Sequence, residues 1–400
     1  MRGKIPLNAV VIWIFLGAAA LMVLGAVQAG LLIGVTPDTE TLRYFNPEFL
    51  QRAFEYERVS LSIYLARQVL FIALLAGASV FFLSKFNPSF RPSLIEAAGY
   101  IALFLLTLNL ITLPLDFYRG FMVEHQFMLS TQTVGSWFGD YIKSLLISLS
   151  INTIGLTGLY FLFMQWPQRW WVLAGAGFSL FLLLGTFLFP IIIDPLFHNF
   201  TPLQDEAMSA QIVHMADQAG IEVEEVLVAD ASRRTHKANA YFTGLGRTKR
   251  IVLYDTLVSG FTPEEVMVVV AHEMGHWRYN HIVKNILMSI AGTFLSFYLL
   301  KVLLDMMGIA AGLRIIPMAL LFFMLLSLLT MPFQNGVSRA FERQADREAL
   351  ALTDDPESFV TLKQRLAEAN ISTVKPHPLV KLVLYSHPPV IERIQAAQKY

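Results

Sequence analysis

The sequence contains no cysteine, which excludes disulfide bridges, thiolate zinc sites, thiol catalysis and lipidation on cysteine. A bound metal ion would therefore have His, Asp and Glu as its ligands. The sequence also lacks net charge at pH 7, because 30 Lys and Arg residues balance 30 Asp and Glu residues. Nucleic-acid binding is not expected, since it requires a basic surface that this composition does not supply.

Charged residues are scarce and apolar residues are abundant. Only 15% of the 400 residues are charged and 55% are hydrophobic. Soluble domains have about 25% charged residues and roughly 45–50% apolar residues. This composition predicts an integral membrane protein, for which the lipid bilayer is the first partner.

Several uncharged stretches are long enough to cross a bilayer, for which a helix needs about 20 mostly apolar residues. Seven are predicted, at residues 5–37, 68–84, 97–115, 144–168, 170–193, 285–304 and 315–338. The second is short and is expected to extend back past Arg67. The first is too long for a signal peptide and is followed by further spans, so it is interpreted as an anchor.

Two more polar segments flank the last pair of spans. The predicted organisation is transmembrane helices 1–5 in residues 1–193, a soluble segment in 194–284, transmembrane helices 6–7 in 285–338 and a soluble helical segment in 339–400. Because the chain crosses the membrane twice between the two soluble segments, both lie on one face and can form a single domain. Lys and Arg residues crowd this face, which predicts that it is cytoplasmic.

A helix start precedes a metal-binding motif. Thr262-Pro263-Glu264-Glu265 combines a Thr N-cap, Pro at the first helical position and Glu three residues after the cap. On the helix that follows, His272 and His276 are four residues apart and share one face, with Glu273 beside them. This is the HExxH arrangement of zinc proteases. The alternative is a pair of histidines that hydrogen-bond neighbouring polar groups.

A catalytic zinc takes three protein ligands, so a third ligand is required. The extended motif HExxHxxGxxH does not supply it, because Tyr279 stands at the Gly position and Ile282 at the last His position. His281 is nine residues from His272, about 180° round a continuous helix. We therefore interpret His281 as a polar residue at the membrane interface.

Glu342 and Asp346 are the better candidates, because they are four residues apart on another predicted helix. One carboxylate can bind the metal while the other accepts the spare N–H of a ligating His. The alternative is a solvated face of mixed charge. The chain from His276 to the sixth span is short, about 14 Å as a helix, and Glu342 follows the seventh span. The two motifs are therefore expected at the same depth, where lipid meets water.

A resemblance to a known family rests on two motifs, His272-Glu273-Met274-Gly275-His276 and Glu342-Arg343-Gln344-Ala345-Asp346. Together they resemble the gluzincin pattern in the membrane-embedded form of the type I CAAX prenyl proteases. Further segments agree with this family over most of the chain: Asn239-Ala240-Tyr241-Phe242, residues 250–257, 195–197, 201–203 and 123–127, and His387-Pro388-Pro389.

The resemblance implies a role for each matching residue. His272, His276 and Glu342 would bind one Zn²⁺ per chain, Glu273 would be the general base, and Asp346 would support a ligating His. His387 would stabilise the oxyanion, although a helix-terminus His is the alternative. His236 and Arg393 are weaker candidates for the site.

The resemblance also implies that Asn239, Ala240, Tyr241 and Phe242 form an edge strand that pairs with the extended substrate. The residues themselves favour a strand here, a turn at 244–246 and a return strand at 251–254. An exposed edge offers backbone donors and acceptors to a peptide. An ordinary hairpin that covers the domain is the alternative.

The predicted fold is mainly α and membrane-spanning, with about seven transmembrane helices and a zinc-protease domain at one face that includes a small sheet. The predicted function is hydrolysis of peptide bonds in membrane-associated substrates, and the resemblance implies removal of the C-terminal tripeptide of prenylated proteins or a related cleavage. The expected membrane is the bacterial inner membrane or the endoplasmic reticulum.

Two alternatives remain open for the function. A membrane-protein quality-control protease would use the same zinc chemistry without a prenyl requirement, and a seven-span receptor or transporter would hold a structural zinc with four ligands. Seven spans exceed what an anchor needs, so the spans are expected to enclose a cavity that opens to the zinc. Asn109 and Asn152 are expected on its inner wall.

Overall fold

A computed structural model describes residues 7–34, 36–85, 87, 90–221, 225–243, 250–309 and 312–400 of the protein. Seven helices in this part of the chain are long and apolar enough to cross a membrane: Val11–Ile33, Pro47–Lys85, Leu94–Gln126, Val134–Gln165, Trp170–Leu196, His281–Met307 and Leu313–Thr353. Most of the remaining chain is also helical, and one small sheet is present. The predicted fold class is confirmed.

The helices of the first half are α1 (Leu7–Ile33), α2 (Pro47–Lys85), α3 (Leu94–Phe117), α4 (Glu124–Gln126), α5 (Val134–Gln165) and α6 (Trp170–Leu188). A π-helical turn, Tyr118–Val123, joins α3 to α4. Helix α2 has 39 residues and is about 58 Å long, whereas the hydrocarbon core of a bilayer is about 30 Å thick. The first turns of α2 therefore extend beyond the hydrocarbon, towards the polar part of the protein.

Close packing joins spans that are far apart in the sequence. Helix α10 (His281–Met307) lies along α6, and a Cβ atom on Gly175 would come within 2.7 Å of the Phe294 ring. The absence of a side chain at Gly175 thus permits the two helices to approach. Asn109 and Asn152 donate their side-chain amides to carbonyl groups one turn back in their own helices, and their position on an inner wall stays a prediction.

The sheet contains β1 (Phe200–Pro202), β2 (Glu225–Ala229), β3 (Ala240–Thr243) and β4 (Arg250–Tyr254) in the order β1-β2-β4-β3. Strands β2 and β4 are parallel, and the other two pairs are antiparallel. Strand β3 pairs with β4 on one side, with Ala240 opposite Leu253, and lies at the edge of the sheet. The turn predicted at 244–246 lies outside the described residues.

The remaining helices are α7 (Glu206–Gln218), α8 (Asp255–Gly260), α9 (Pro263–Arg278), α11 (Ile316–Thr353), α12 (Pro356–Asn370), α13 (Pro378–Leu384) and α14 (Val390–Ala397). One hydrophobic core joins α7, the sheet and α9 to the end of α11, α12 and α14. It includes Ile212, Val268 and Phe359, which are fully buried. Residues before and after the last two spans therefore pack around the same core.

Candidate active site

Helix α9 carries the HExxH motif and begins as its sequence predicts. The Thr262 hydroxyl accepts a hydrogen bond from the Glu265 backbone N–H, and the Glu265 carboxylate accepts one from the Thr262 backbone N–H. This capping box satisfies two donors that a helix start leaves free. Arg365 of α12 binds the same carboxylate at 2.5 Å, which ties α9 to the helix beside it.

Gly275, inside the HExxH motif, permits the contact between α9 and α11. A Cβ atom at this position would lie 2.8 Å from the Cα of Ala345 and 3.0 Å from the Cβ of Glu348. Since Ala345 Cα belongs to the backbone, a side chain here would push the two helices apart. The close approach brings Glu342 and Asp346 of α11 to the histidines of α9.

His272, His276 and Glu342 converge on one point. Nε2 of His272 lies 3.3 Å from Nε2 of His276, and Glu342 Oε2 and Oε1 lie 3.2 Å and 3.3 Å from these two nitrogens. Zinc–ligand bonds of about 2.0–2.1 Å in a tetrahedral site place ligand atoms roughly 3.3 Å apart. Glu342 Oε2 is buried without a hydrogen-bond partner among the described residues. This donor set fits one metal ion.

Asp346 contacts the ring nitrogen of His272 that does not face the candidate metal position. Its Oδ1 lies 3.0 Å from Nδ1 of His272, which favours the tautomer that leaves Nε2 free to bind a metal. Arg393, one of the weaker sequence candidates, donates two hydrogen bonds to the Asp346 carboxylate. The buried Asp346 is therefore held in place by a planar guanidinium from α14.

Lys363 is a second buried cation near Asp346 that the sequence analysis missed. Its Nζ lies 3.8 Å from Asp346 Oδ1 and 4.7 Å from the centroid of the Phe359 ring. Burial and the nearby Arg393 lower the pKa of Lys363 to about 8. The available signal was a lysine among Phe359 and Leu362 on the apolar face of α12, where a charged residue requires a partner.

Glu273 lies beside the candidate metal site and contacts the edge strand. Burial raises the pKa of its carboxyl group, although His272 and a backbone hydrogen bond from Phe242 act in the opposite direction. A carboxylate with a raised pKa accepts a proton more readily at neutral pH. The position of Glu273 is thus suited to proton transfer next to a bound peptide.

His281 corrects an interpretation made from the sequence. It is buried, its Nδ1 lies 3.0 Å from Nδ1 of His276, and its Nε2 hydrogen-bonds Gln344. The expectation of an interfacial residue turned away from the site was wrong because it assumed one continuous helix. Asn280 has a left-handed backbone with φ of 54° and separates α9 from α10, which returns His281 towards His276.

His387 also reaches the site. Its Nε2 lies 3.4 Å from Glu342 Oε1, and its side chain is 60% exposed. It is therefore placed next to the candidate metal ligands while remaining open to a bound substrate. His236, by contrast, is exposed in the loop before β3, and its backbone N–H donates to Leu129.

The predicted edge-strand segment begins one residue later than expected, since β3 covers Ala240–Thr243 and Asn239 precedes it. Ala240 belongs to the main core, and Phe242 packs on Trp277 of α9. Tyr241 faces the opposite side of the sheet, where its ring meets Tyr254. The side chain of Tyr241 is thus turned away from α9, although its backbone lies on the edge strand.

A cavity of about 560 Å³ adjoins the site and is lined by His272, Glu273, His387 and the residues at the start of β3, Ala238, Asn239 and Ala240. This volume is within the usual range of ligand pockets, about 300–1,000 Å³. The candidate metal site, the Glu273 carboxyl group and the edge of β3 therefore adjoin one open cavity.

Comparisons with known proteins agree with this geometry. The family model for peptidase family M48 matches residues 202–400, and the model described as CAAX prenyl protease N-terminal, five membrane helices, matches residues 40–199. CAAX prenyl protease 1 of Saccharomyces cerevisiae is 34% identical over 320 residues, which cover 72% of this chain and 69% of the relative. The chain belongs to the CAAX prenyl protease family.

Other relatives extend the similarity over nearly the whole chain. The uncharacterized metalloprotease YhfN of Bacillus subtilis is 33% identical over 375 residues, which cover 89% of this chain and 87% of the relative. The crystal structure of S. mikatae Ste24p has a TM-score of 0.81 and 27% identity, and the match covers 98% of this chain and 100% of that chain. This chain is therefore a membrane metalloprotease of the CAAX prenyl protease type, and it acts on a peptide or protein substrate within a membrane.

Proposed function

We propose that the protein is a zinc endopeptidase in which His272, His276 and Glu342 bind the metal and Glu273 is the general base. The observation that supports this proposal is the convergence of the three side chains, since each pair of them has ligand atoms 3.2–3.3 Å apart, with Glu342 using one oxygen towards each histidine. Two imidazoles and one carboxylate form a donor set that suits zinc and leaves a position for water. Metal analysis of the purified protein tests the identity of the ion.

When bound, zinc polarises the scissile carbonyl and lowers the pKa of water to about 7. Glu273 accepts the proton of the attacking water and passes it to the leaving amine. Asp346 keeps His272 in the tautomer that presents Nε2, and Arg393 holds Asp346 in position. His387 donates an N–H to the oxygen on which negative charge develops.

The substrate binds as an additional strand on the free edge of β3. The backbone of Asn239 to Phe242 supplies donors and acceptors to an extended peptide, and the contact between Phe242 and Glu273 fixes that strand relative to the base. Relatives are named CAAX prenyl protease 1 in Saccharomyces cerevisiae and in Oryza sativa. For this chain, we propose removal of the C-terminal tripeptide of prenylated proteins, the activity that the family resemblance implies.

The proposed domain combines residues 194–284 with 339–400, and it lies at the cytoplasmic face. The shared hydrophobic core supports a single domain. The cytoplasmic location is supported by basic residues beside the last two spans, namely Arg278, Lys284 and Arg343, because basic residues near the ends of spans favour the cytoplasmic side.

A pair of peptides distinguishes this function from quality control without a prenyl requirement. One peptide carries a prenylated cysteine three residues before its C-terminus, and the other is its unmodified twin. We expect mass spectrometry to show release of the C-terminal tripeptide from the prenylated peptide, loss of this cleavage with a chelator and recovery with zinc. Equal cleavage of the unmodified twin would favour the quality-control function.

A further inference from the structure

The cavity beside the site extends well past the candidate metal ligands. Its wall also includes residues from the first turns of α2 and from the π-helical turn after α3, namely Tyr56, Glu57, Ser60, Leu61 and Arg119. These residues belong to elements that are far from the HExxH motif in the sequence. The cavity thus continues from the proposed zinc site towards α2, along the start of β3.

The position of the cavity relative to β3 determines which part of a bound peptide enters it. Ala238, Asn239 and Ala240 at the start of the strand line the cavity. Antiparallel strand pairs outnumber parallel pairs roughly two- to three-fold. A peptide that pairs antiparallel with β3 has its C-terminal end beside the start of that strand. In this antiparallel direction, the residues that follow the cut bond would enter the cavity.

Three cationic residues line the cavity, and two of them already bind a carboxylate. Arg393 donates two hydrogen bonds to Asp346, and Lys363 lies 3.8 Å from the same carboxylate. Within the described part of the chain, Arg119 has no carboxylate partner, and its guanidinium lies 5.9 Å from the centroid of the Tyr64 ring. Of the three cationic residues in the cavity wall, Arg119 is thus the one that can bind the carboxylate of a ligand.

Glu57, the acidic residue that α2 contributes to the cavity wall, has a partner other than Arg119. The Glu57 carboxylate accepts a hydrogen bond from the Tyr385 hydroxyl, and it is buried in the wall. A guanidinium recognises a carboxylate through two parallel N–H donors, which gives both strength and orientation. The same positive charge would repel the amino terminus of a peptide, so it also favours the antiparallel direction.

We propose that Arg119 binds the free α-carboxylate of the substrate's C-terminal residue and thereby positions the three residues that follow the cut bond. Three extended residues span about 10 Å. A contact at the C-terminal carboxylate would therefore fix the distance from the chain end to the bond that is cut. This assignment rests on the proposed function, in which a C-terminal tripeptide is released. The ligand is a peptide α-carboxylate, not a side-chain carboxylate within a long chain.

The experiment compares one prenylated peptide with a free C-terminal carboxylate and the same peptide with a C-terminal amide. For the unaltered enzyme, we expect KM to be at least about tenfold higher for the amide, because a charge-assisted bidentate contact is lost, with kcat little changed. In Arg119→Gln, KM for the acid should rise to the amide value, and KM for the amide should stay the same.

Arg58→Gln is the matched control. Arg58 is an exposed arginine on α2 whose guanidinium also lies 5.9 Å from an aromatic ring, that of Phe54, and it is not part of the described cavity wall. Arg58→Gln should keep the preference for the acid. Equal KM values for acid and amide in the unaltered enzyme, or a preference that survives Arg119→Gln, would overturn the proposal.

A second measurement separates this proposal from the proposed function. The free tripeptide and its C-terminal amide are compared as inhibitors of the cleavage of any peptide that the enzyme cuts. Stronger inhibition by the acid, lost in Arg119→Gln, supports the carboxylate site even if prenylated peptides are not preferred. Equal inhibition by acid and amide rejects the site while leaving C-terminal tripeptide release intact.

Discussion

At the scale of single residues, Glu273 gives the sharpest test of hydrolysis. Glu273→Gln keeps the size of the side chain but removes the group that accepts a proton. We expect cleavage to fall by about 10²–10⁴-fold, the usual contribution of a general base. The content of bound metal, measured by mass spectrometry of the ion, should be unchanged. A Gln variant that cuts at the original rate would remove Glu273 from the mechanism.

His281 tests whether support of a proposed ligand affects metal binding. His281→Ala removes the ring that contacts His276 and Gln344. Loss of such an outer contact typically weakens metal affinity by about 10–100-fold, and competition with a chelator measures it. His236→Ala is the control, because this exposed His lies in the loop before β3. Equal affinity in His281→Ala and the unaltered enzyme would show that the contact is incidental.

How far single residues could be predicted depends on whether their spacing lies within one helix. His272, Glu273 and His276 share one helix that a capping box starts, so periodicity was enough to place them. His281 was misread because a single left-handed residue, Asn280, changes the direction of the chain. Asn adopts this conformation more readily than most residues, but its presence alone does not predict a helix break.

At the scale of elements, the contact between α9 and α11 depends on Gly275. Gly275→Ala would place a Cβ atom 2.8 Å from the backbone of Ala345. We expect separation of the helices, a destabilisation of about 1–3 kcal/mol and loss of most bound metal. Apparent Tm and metal content measure the two effects.

Gly292→Ala provides the matched control for Gly275→Ala. Gly292 also lies within a helix, α10, but an added Cβ atom would meet open space. Alanine favours a helix over glycine by about 1 kcal/mol, so this variant should be neutral or slightly more stable. Full metal content and normal stability in Gly275→Ala would contradict the importance of this close approach.

The boundaries of helices and strands could be predicted from the sequence only where an apolar stretch begins or ends. The second span was predicted at 68–84 with an extension back past Arg67, and α2 does begin earlier, at Pro47. The sequence did not define this start, because the early turns of the helix are polar. The pairing of β3 with β4 was predicted from two strand segments that a short Gly-containing turn separates, whereas the parallel pairing of β2 with β4 joins distant segments. Such a pairing depends on the packing of the whole domain, which local patterns do not encode.

At the scale of the whole molecule, the proposed metal joins two parts of the chain that are separated by a membrane hairpin. A ligand that binds only the folded state stabilises it by RT ln(1 + [L]/Kd), about 2.7 kcal/mol at 100-fold excess over Kd. Chelation should therefore lower the apparent Tm by several degrees. Glu342→Ala should begin at the lower Tm and not respond to the chelator.

Thermal scans with tryptophan fluorescence in detergent provide the measurement. Metal analysis of the same samples shows whether the chelator has removed the ion. A metal-free sample that melts at the same temperature as the metal-loaded enzyme would show that the ion does not stabilise the fold.

The cavity wall shared by α2, the turn after α3 and β3 also belongs to this scale, because only the assembled chain brings Arg119 near the site.

The division of the proposed ligands across the last two spans has a consequence for biosynthesis. A ribosome makes the α9 histidines first, but Glu342 emerges only after both crossings of the hairpin have been translated. A partly synthesised chain that ends before Glu342 therefore lacks one of the three proposed metal ligands. With this proposed ligand set, peptide hydrolysis can begin only after the last membrane span has been synthesised.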